Sequence, residues 1–200
     1  MKTCQNMSCR SFSPLALALA ALASLALAEA GAAPGVMPGA MHLRGGGVQR
    51  TLGILKPDVV LKGKVDQMKK IIEADGFKIV KEKKMCLTVA QAKDFYKEHA
   101  ERPFYGSLVN FMTSGDCVVL ILQKDDAIKG WRSLMGPTNS IKARAEAKDS
   151  LRAKFGTDGS QNACHGSDSP GSARREIRFF FGLGEWLQLL IAPLKLFWPK

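Results

Sequence analysis

The sequence has few of the residues from which metal centres and disulfide frameworks are built. It contains five cysteines, none of them in a Cys-x-x-Cys pair, and three histidines. A structural zinc site needs four closely spaced ligands, and a disulfide framework needs an even set of paired cysteines. The composition therefore excludes both and predicts that Cys86, Cys117 and Cys164 are small packed side chains. A redox role for Cys164, which precedes a histidine, is the alternative.

Two common phosphate-binding motifs are also absent. No stretch matches the P-loop pattern G-x-x-x-x-G-K-[ST]. The stretch Gly182-Leu183-Gly184 lacks the third glycine and the preceding strand of a dinucleotide fingerprint. A membrane span needs about 20 apolar residues, whereas the Leu- and Ala-rich block Leu15–Ala28 has 14. A permanent transmembrane helix is therefore the weaker interpretation of that block.

The N-terminal region has the composition of a targeting segment. Lys2 and Arg10 precede the block Leu15–Ala28, and Ala28-Glu29-Ala30 follows it as a small-x-small cleavage sequence. This order is typical of a secretory signal peptide, which we predict over residues 1–30. A plastid or mitochondrial transit peptide is the alternative, because such segments are also poor in acidic residues.

A linker and a basic domain follow. Residues 31–49 are rich in Gly, Ala and Pro and show no periodicity, which predicts a flexible linker. In the predicted domain, residues 50–182, there are 24 basic and 16 acidic residues, so most of the chain's net charge of +11 lies there. This excess favours a polyanionic partner: nucleotide phosphates, nucleic acid or an acidic membrane.

Apolar residues in the domain follow alternating strand and helix patterns. Short apolar runs rich in β-branched residues alternate with stretches whose apolar residues recur at helical spacing. Strands interleaved with helices in this way indicate an α/β sandwich, with helices packed on a sheet. The predicted strands are Thr51–Leu55, Phe77–Leu87 and Cys117–Leu122; the predicted helices cover Lys62–Ala74, the stretch after a Thr88 cap, about 105–112, 127–135 and 172–181.

Residues 136–171 have an irregular pattern rich in Lys, Arg, Gly, Ser and Asp. An irregular stretch of that length inside a compact domain is usually functional. It contains His165, whose imidazole is a nucleophile near neutral pH if an acceptor holds one ring nitrogen and the other is free. Glu176, in the helix that follows, is a candidate acceptor. The candidate phosphate ligands are Lys56, Arg132 and Arg152.

Five motifs of the domain occur together in one known family. They are Lys56-Pro57-Asp58, Arg102-Pro103-Phe104, Leu134-Met135-Gly136-Pro137-Thr138-Asn139, Leu151-Arg152 and the stretch NACHGSDS at 162–169. In this order, over about residues 50–181, the chain resembles nucleoside diphosphate kinase. The resemblance implies a ferredoxin-like βαββαβ fold, an α+β sandwich with a four-stranded antiparallel sheet and helices packed on it.

The resemblance also implies a ping-pong reaction. His165 would take the γ-phosphate of ATP and pass it to another nucleoside diphosphate, while Glu176 orients the imidazole and Ser167 supports that carboxylate. Mg²⁺ would be the cofactor, held through the nucleotide phosphates, and ATP the phosphate donor. The implied nucleotide-binding residues are Lys56, Arg132, Thr138 and Arg152 for the phosphates, Asn162 for the ribose and Phe104 for the base.

Some features differ from the commoner branch of that family. Only two residues separate His99 from Arg102, where the commoner branch has a longer segment with a tyrosine directly after the histidine. The segment between Thr138 and Arg152 is longer, and Pro137 replaces an acidic residue. These features resemble the divergent group II branch. We expect a homo-oligomer of open order, and a catalytically weak nucleotide-binding scaffold is the alternative function.

The resemblance ends near Phe181. Residues 183–200 form an apolar tail that is broken by Pro193 and carries Trp and Lys. An interfacial membrane contact suits this composition, and packing on the domain or on a subunit partner is the alternative. Nucleic-acid binding is not expected, because the basic residues lack the interleaved aromatic residues that bind single strands.

Overall fold

The computed structural model describes residues 48–191, with side chains described as far as Gly184. The predicted signal peptide (1–30), nearly all of the predicted linker (31–49) and the end of the predicted tail lie outside the described residues. The predicted domain boundaries therefore stay predictions. Within the described part of the chain, no helix is both long and apolar enough to cross a membrane.

A four-stranded antiparallel sheet forms the centre of the fold. Its strands are β1 (Val48–Leu55), β2 (Lys78–Cys86), β3 (Asp116–Asp125) and β4 (Cys164–Gly166). They lie in the order β2-β3-β1-β4, so β3 and β1 are central. All three pairings are antiparallel. The predicted four-stranded α+β sandwich is confirmed.

Helices cover the sheet. In the described residues they are α1 (Pro57–Leu61), α2 (Val65–Ala74), α3 (Val89–Phe95), α4 (Tyr105–Met112), α5 (Ala127–Met135), α6 (Ser140–Glu146), α7 (Leu151–Phe155) and α8 (Pro170–Ile191), with a 3-10 turn at Lys97–His99. α8 is interrupted at Gly182, where a φ of 80° and a ψ of 179° are not helical. The first part of α8 corresponds to the helix predicted over 172–181.

Particular residue types explain where these elements begin. Pro57 ends β1 because it has no N–H to donate, and it suits the first turn of α1, where that N–H has no helical partner. Thr88 and Gln91 form a capping box at the start of α3, each side chain accepting from the other residue's backbone N–H. Side-chain oxygens of Asn139 and Ser150 cap α6 and α7.

Both faces of the central strand β3 are buried. Residues Cys117–Leu122 of β3 are all buried, and their side chains alternate between two layers. Val119 packs in the layer that contains Phe95, and Val118 packs in the layer that contains Trp131. The sequence predicted a strand at these residues, and its continuous apolar run suits a strand that is covered on both faces.

Two sequence predictions of secondary structure were wrong. The helix predicted over Lys62–Ala74 begins later, at Val65, and the short α1 before it was not predicted; Gly63, with a left-handed φ of 63°, separates the two helices. Residues 136–171 are not irregular, since α6, α7 and β4 lie there. These elements have three to seven residues, which is too short for a periodic pattern to emerge.

His165 has a regular position within this stretch. His165 is the central residue of β4, and it pairs with Ile54 of β1. The following helix, α8, begins at Pro170. The histidine is therefore held by a backbone ladder to a central strand.

Candidate active site

A cleft of about 520 Å³ collects side chains from distant parts of the chain. Every predicted site residue except Ser167 lines it, and Ser167 is buried and hydrogen-bonded to one of the lining residues, Glu176. The predicted residues that line the cleft are Lys56, Phe104, Arg132, Thr138, Arg152, Asn162, His165 and Glu176.

Trp131 fixes the strand that carries His165. The indole Nε1 donates a hydrogen bond to the backbone carbonyl of His165 at 3.2 Å. The next residue, Gly166, lies so close to the same indole that a Cβ there would overlap it. Gly53, the partner of Gly166 in β1, also faces Trp131 closely. A glycine pair therefore lets one fully buried tryptophan pack against both strands.

One oxygen of Glu176 connects the two other catalytic candidates. Oε2 lies 3.2 Å from Nε2 of His165 and accepts a hydrogen bond from Oγ of Ser167 at 2.7 Å. The backbone N–H of Leu52 donates to the same Ser167 hydroxyl at 3.3 Å. The Glu176 side chain is only 3% exposed, so its charge acts through a medium of low dielectric.

This arrangement decides the tautomer of His165. A carboxylate accepts but cannot donate, so it holds the proton on Nε2 and leaves the lone pair on Nδ1. Within residues 48–184, Nδ1 forms no hydrogen bond. The imidazole, 21% exposed, thus has one nitrogen held by the protein and one nitrogen free for chemistry.

Lys56 is a buried cation at the end of β1. Its Nζ donates to Oδ1 of Asn162 at 2.7 Å and to the carbonyl of Ser160 at 3.4 Å. Burial, followed by the nearby charge of Arg152, lowers the pKa of Lys56 to about 8. An anion that enters the cleft would favour the charged ammonium and so raise this pKa again.

Arg152 supports the other wall of the cleft. It lies in α7, donating from Nη1 to the carbonyl of Gly136 at 2.8 Å and from Nη2 to the carbonyl of Cys164 at 3.1 Å. Its buried Nε has no hydrogen-bond partner among the described residues. Burial is also the main cause of the lowered pKa of Arg152. The guanidinium is therefore positioned by neutral carbonyls and retains donor capacity for an anion.

Cys164 is a packed side chain. It is fully buried, and that burial raises the pKa of its thiol to about 11. The thiol therefore stays protonated near neutral pH and is a poor nucleophile. The packing prediction fits this environment, and the redox alternative does not.

The remaining predicted ligands lie around the same cleft. The amide of Asn162 donates to the carbonyls of Thr138 at 2.9 Å and Gly159 at 3.1 Å. Arg132 extends from the last turn of α5. Phe104 is 48% exposed, so a large part of its ring surface is accessible to a ligand.

The cleft also contains Tyr96, Glu98, His99 and Asp168, to which the sequence analysis gave no role. The Tyr96 ring packs edge-on against the imidazole of His165, with 5.9 Å between ring centroids. Glu98 and His99 belong to the 3-10 turn. No local sequence pattern indicates that this turn lies at the same cleft as His165. Asp168 lies inside the HGSDS motif, and that position is the signal that could have identified it.

The charges of the cleft suit a polyphosphate. In the described part of the chain, no cluster of three or more His, Cys, Asp or Glu residues is placed to hold a metal ion. The cleft instead combines the cations Lys56, Arg132 and Arg152 with the acids Glu98, Asp168 and Glu176. The three cations favour phosphate oxygens as ligands.

Comparisons with known proteins agree with this geometry. The family model for nucleoside diphosphate kinase matches residues 49–186. The chain belongs to the nucleoside diphosphate kinase family. A nucleoside diphosphate kinase of Anaplasma phagocytophilum is 48% identical over 134 residues, which are 67% of this chain and 94% of that protein. The resemblance recognised from the motifs is thereby confirmed, and this is a family of enzymes.

Two further relatives of the kinase family show how far the similarity extends. The crystal structure of the Aquifex aeolicus nucleoside diphosphate kinase has 47% sequence identity and a TM-score of 0.66, and the match covers 68% of this chain and 96% of that one. Nucleoside diphosphate kinase homolog 7 of Rattus norvegicus is 47% identical over 134 residues. This chain spans only 33% of the rat protein's length.

Proposed function

We propose that this member of the nucleoside diphosphate kinase family exchanges phosphate between nucleotides through a phosphohistidine at His165. It takes the γ-phosphate of ATP and transfers it to other nucleoside diphosphates, which supports synthesis of GTP, CTP and UTP. One observation carries the proposal: the buried Glu176 holds Nε2 of the imidazole, while Nδ1 is free in a cleft lined by cations. A neutral imidazole oriented in this way is a nucleophile near pH 7.

In the first half-reaction, Nδ1 of His165 attacks the γ-phosphorus of ATP. A nitrogen–phosphorus bond forms while the bond to the bridging oxygen breaks, and ADP leaves with that electron pair. The proton on Nε2 stays in place, and Glu176 stabilises the positive charge that develops on the ring. In the second half-reaction, a β-phosphate oxygen of another diphosphate attacks the phosphorus, the nitrogen–phosphorus bond breaks, and its electron pair returns to Nδ1, which restores the neutral imidazole.

The side chains that line the cleft supply what phosphoryl transfer requires, namely positioning and positive charge. Lys56, Arg132 and Arg152 neutralise the phosphate chain, and Thr138 offers a hydroxyl donor. Mg²⁺ bound to the phosphate oxygens enters as part of the nucleotide substrate and adds further charge neutralisation.

Phe104 and Asn162 hold the nucleoside. The exposed ring of Phe104 offers a stacking surface that every base can use, because every base has a π face. The amide of Asn162 already donates to Thr138 and Gly159. Its Oδ1 retains acceptor capacity beyond its bond from Lys56, so it is the atom that meets a ribose hydroxyl.

The decisive experiment is a pulse and chase. The full chain is incubated briefly with γ-labelled ATP and Mg²⁺, denatured, and in parallel chased with unlabelled GDP before denaturation. We expect an acid-labile label on the protein that moves to GTP. His165→Ala should lose the label while keeping the circular dichroism spectrum and Tm of the wild type. His42→Gln, which alters a histidine outside the described residues, is the control and should keep the label.

A folded wild-type protein that acquires no label would contradict this exchange. It would favour the catalytically weak nucleotide-binding scaffold. Nucleotide binding measured on the same preparation then separates a scaffold from a protein that does not recognise nucleotides at all.

We also propose that the chain is a group II member and assembles as a homo-oligomer. The short connection between His99 and Arg102 and the extended stretch that contains α6 and α7 support the branch assignment. Light scattering on the purified chain tests the assembly, and a mass equal to the 21.7 kDa of one chain would contradict it.

The cellular location is a proposal that rests on the sequence pattern alone. Residues 1–30 would direct the chain into the secretory pathway, with plastid or mitochondrial import as the alternative. Fusing residues 1–47 to a fluorescent protein distinguishes these destinations.

We also propose a peripheral membrane contact of the apolar tail, residues 183–200. Vesicle co-sedimentation of the chain with and without these residues tests it.

A further inference from the structure

A strained turn lies immediately before His165. Ala163 has a φ of 67°, in the left-handed region that residues other than glycine rarely adopt. The N–H of Cys164 donates to the carbonyl of Asn162 at 2.7 Å, which closes a γ-turn with Ala163 at its centre. A γ-turn with positive φ is the rare, strained form, and it persists only where surrounding contacts hold it.

The segment that follows β1 makes two contacts with this turn. The carbonyl of Ala163 accepts a hydrogen bond from the backbone N–H of Lys56 at 2.9 Å. The N–H of Ala163 donates to Oδ2 of Asp58 at 3.1 Å. Both polar groups of the strained residue are thus bound by residues two positions apart in one short segment.

Asp58 is an unusual carboxylate. It is 4% exposed, and its other oxygen, Oδ1, has no hydrogen-bond partner within residues 48–184. Burial raises its pKa above the ordinary value, opposed by the hydrogen bond from Ala163. A buried carboxylate is costly unless its contacts compensate, so packing alone does not explain an acid at this position.

The turn connects the groups that the reaction uses. Its first residue, Asn162, binds the Lys56 ammonium at 2.7 Å. Its last residue, Cys164, accepts a hydrogen bond from Arg152 at 3.1 Å and is followed directly by His165. Relaxation of Ala163 to a negative φ would therefore rotate Asn162 and Lys56 relative to the imidazole.

We propose that Asp58 is a positioning residue: its carboxylate holds Ala163 in the left-handed conformation and so sets Lys56, Asn162 and His165 in register for phosphoryl transfer. This inference rests on the proposed function. Asp58 acts through the turn rather than on the substrate. Because misplacing reacting groups by about 1 Å costs on the order of 10²-fold in rate, its loss should lower kcat more than it raises KM.

A double-mutant cycle tests the proposal in the full chain. Asp58→Ala removes the acceptor, and Ala163→Gly removes the strain that the acceptor offsets, because glycine adopts positive φ without steric cost. We expect Asp58→Ala to lower kcat about tenfold or more, with a smaller change in KM. In the Ala163→Gly background the same change should lower kcat by no more than about threefold.

Two matched variants separate positioning from general damage. Gln161→Gly adds backbone freedom two residues before Ala163, at a position without positive φ, and it should not rescue Asp58→Ala. Asp58→Asn keeps an oxygen that can accept from the Ala163 N–H, so it should retain most of kcat even if Asp58→Ala folds poorly. The proposal is overturned if Asp58→Asn and Asp58→Ala lose kcat equally, or if Ala163→Gly fails to rescue the alanine variant.

The free energies of unfolding of the four proteins of the cycle give a second readout that needs no enzyme activity. These proteins are the wild type, Asp58→Ala, Ala163→Gly and the double variant. Asp58→Ala should destabilise the wild-type chain more than it destabilises the Ala163→Gly chain, and equal losses in both backgrounds would contradict the role of the carboxylate in holding the turn. A wild-type chain that ATP does not label would overturn the proposed function. The difference between the two backgrounds in the free energy of unfolding would still show whether Asp58 holds the turn.

Discussion

Nε2 of His165 and Oε2 of Glu176 lie 3.2 Å apart, although the two residues are eleven positions apart in the chain. The contact forms because β4 is hydrogen-bonded to β1 and α8 folds back over the same face. Ile177 and Phe180 of α8 are buried in the core, so the helix can place Glu176 in only one position. Packing of apolar residues therefore determines where the charge lies.

Replacing Glu176 by glutamine should slow phosphohistidine formation. Glu176→Gln keeps the shape of the side chain but removes the charge that stabilises the phosphorylated ring, and its amide can also hold the wrong tautomer. We expect a loss on the order of 10²-fold in the first half-reaction. Rapid-quench labelling with γ-labelled ATP measures it directly.

Glu98→Gln is the matched control for that experiment. Glu98 also lines the cleft, but it is paired with Arg175 at 3.2 Å and is about half-exposed. Exposed ion pairs are worth at most about 1 kcal/mol, so the rate should fall less than about fivefold. Equal losses in the two variants would contradict a specific role for Glu176.

Lys56 should make nucleotide binding pH-dependent. Its pKa is lowered to about 8, first by burial and then by Arg152, so the ammonium is charged below that pH and neutral above it. Binding of ADP to the unphosphorylated enzyme should weaken as the pH rises through about 8. Titrations across this range measure the effect, and Lys56→Met should bind weakly without that inflection. An inflection that persists in the variant would assign the titration to another group.

Removing the ring of Phe104 should weaken all nucleotides alike. Stacking of a base on an aromatic side chain is worth about 1–3 kcal/mol, so Phe104→Ala should raise KM for ADP, GDP and CDP by about 5- to 150-fold. Steady-state kinetics with the three diphosphates measures the factors, and Phe104→Trp should preserve binding. A large effect on one base alone would mean that base edges are recognised elsewhere in the cleft.

A side chain at position 166 should destabilise the domain. A Cβ on Gly166 would overlap the indole of Trp131 and crowd Met135, so Gly166→Ala should lower the free energy of unfolding by about 1–3 kcal/mol. Gly106→Ala is the control, because it adds a Cβ in α4 with no atom within 4 Å, and it should stabilise by up to about 1 kcal/mol. Urea unfolding of both variants measures the difference, and equal stabilities would contradict the close packing.

The longer elements of this fold were predictable because their patterns extend over several repeats. Residues Cys117–Leu122 are a continuous apolar run, and the Thr88 cap and the apolar spacing of α4 are local features that any context preserves. The short elements α6, α7 and β4 were missed, since their three to seven residues contain too few repeats to show a period. They fold because the rest of the domain supplies their partners.

The candidate site divides in the same way. From chemistry alone, the chain indicated His165 as a nucleophile, Glu176 as its acceptor and three cations as phosphate ligands. The wider set, including Phe104 and Asn162, came from the resemblance to the kinase family. Tyr96 and Glu98 had no local signal, because their position in the cleft depends on how α3 and the 3-10 turn dock against β4.

Residue identity thus specified the chemistry: an imidazole, a carboxylate, a hydroxyl and a set of cations, with glycines where the backbone must pass closely. The long-range packing of the chain specified which nitrogen of His165 is free, how deeply Lys56 is buried, and that Ala163 is held in a left-handed turn by Asp58. These properties depend on groups that are eleven to about a hundred positions apart. Local sequence sets propensity and reactivity, whereas burial and partner distance arise only when distant segments pack together.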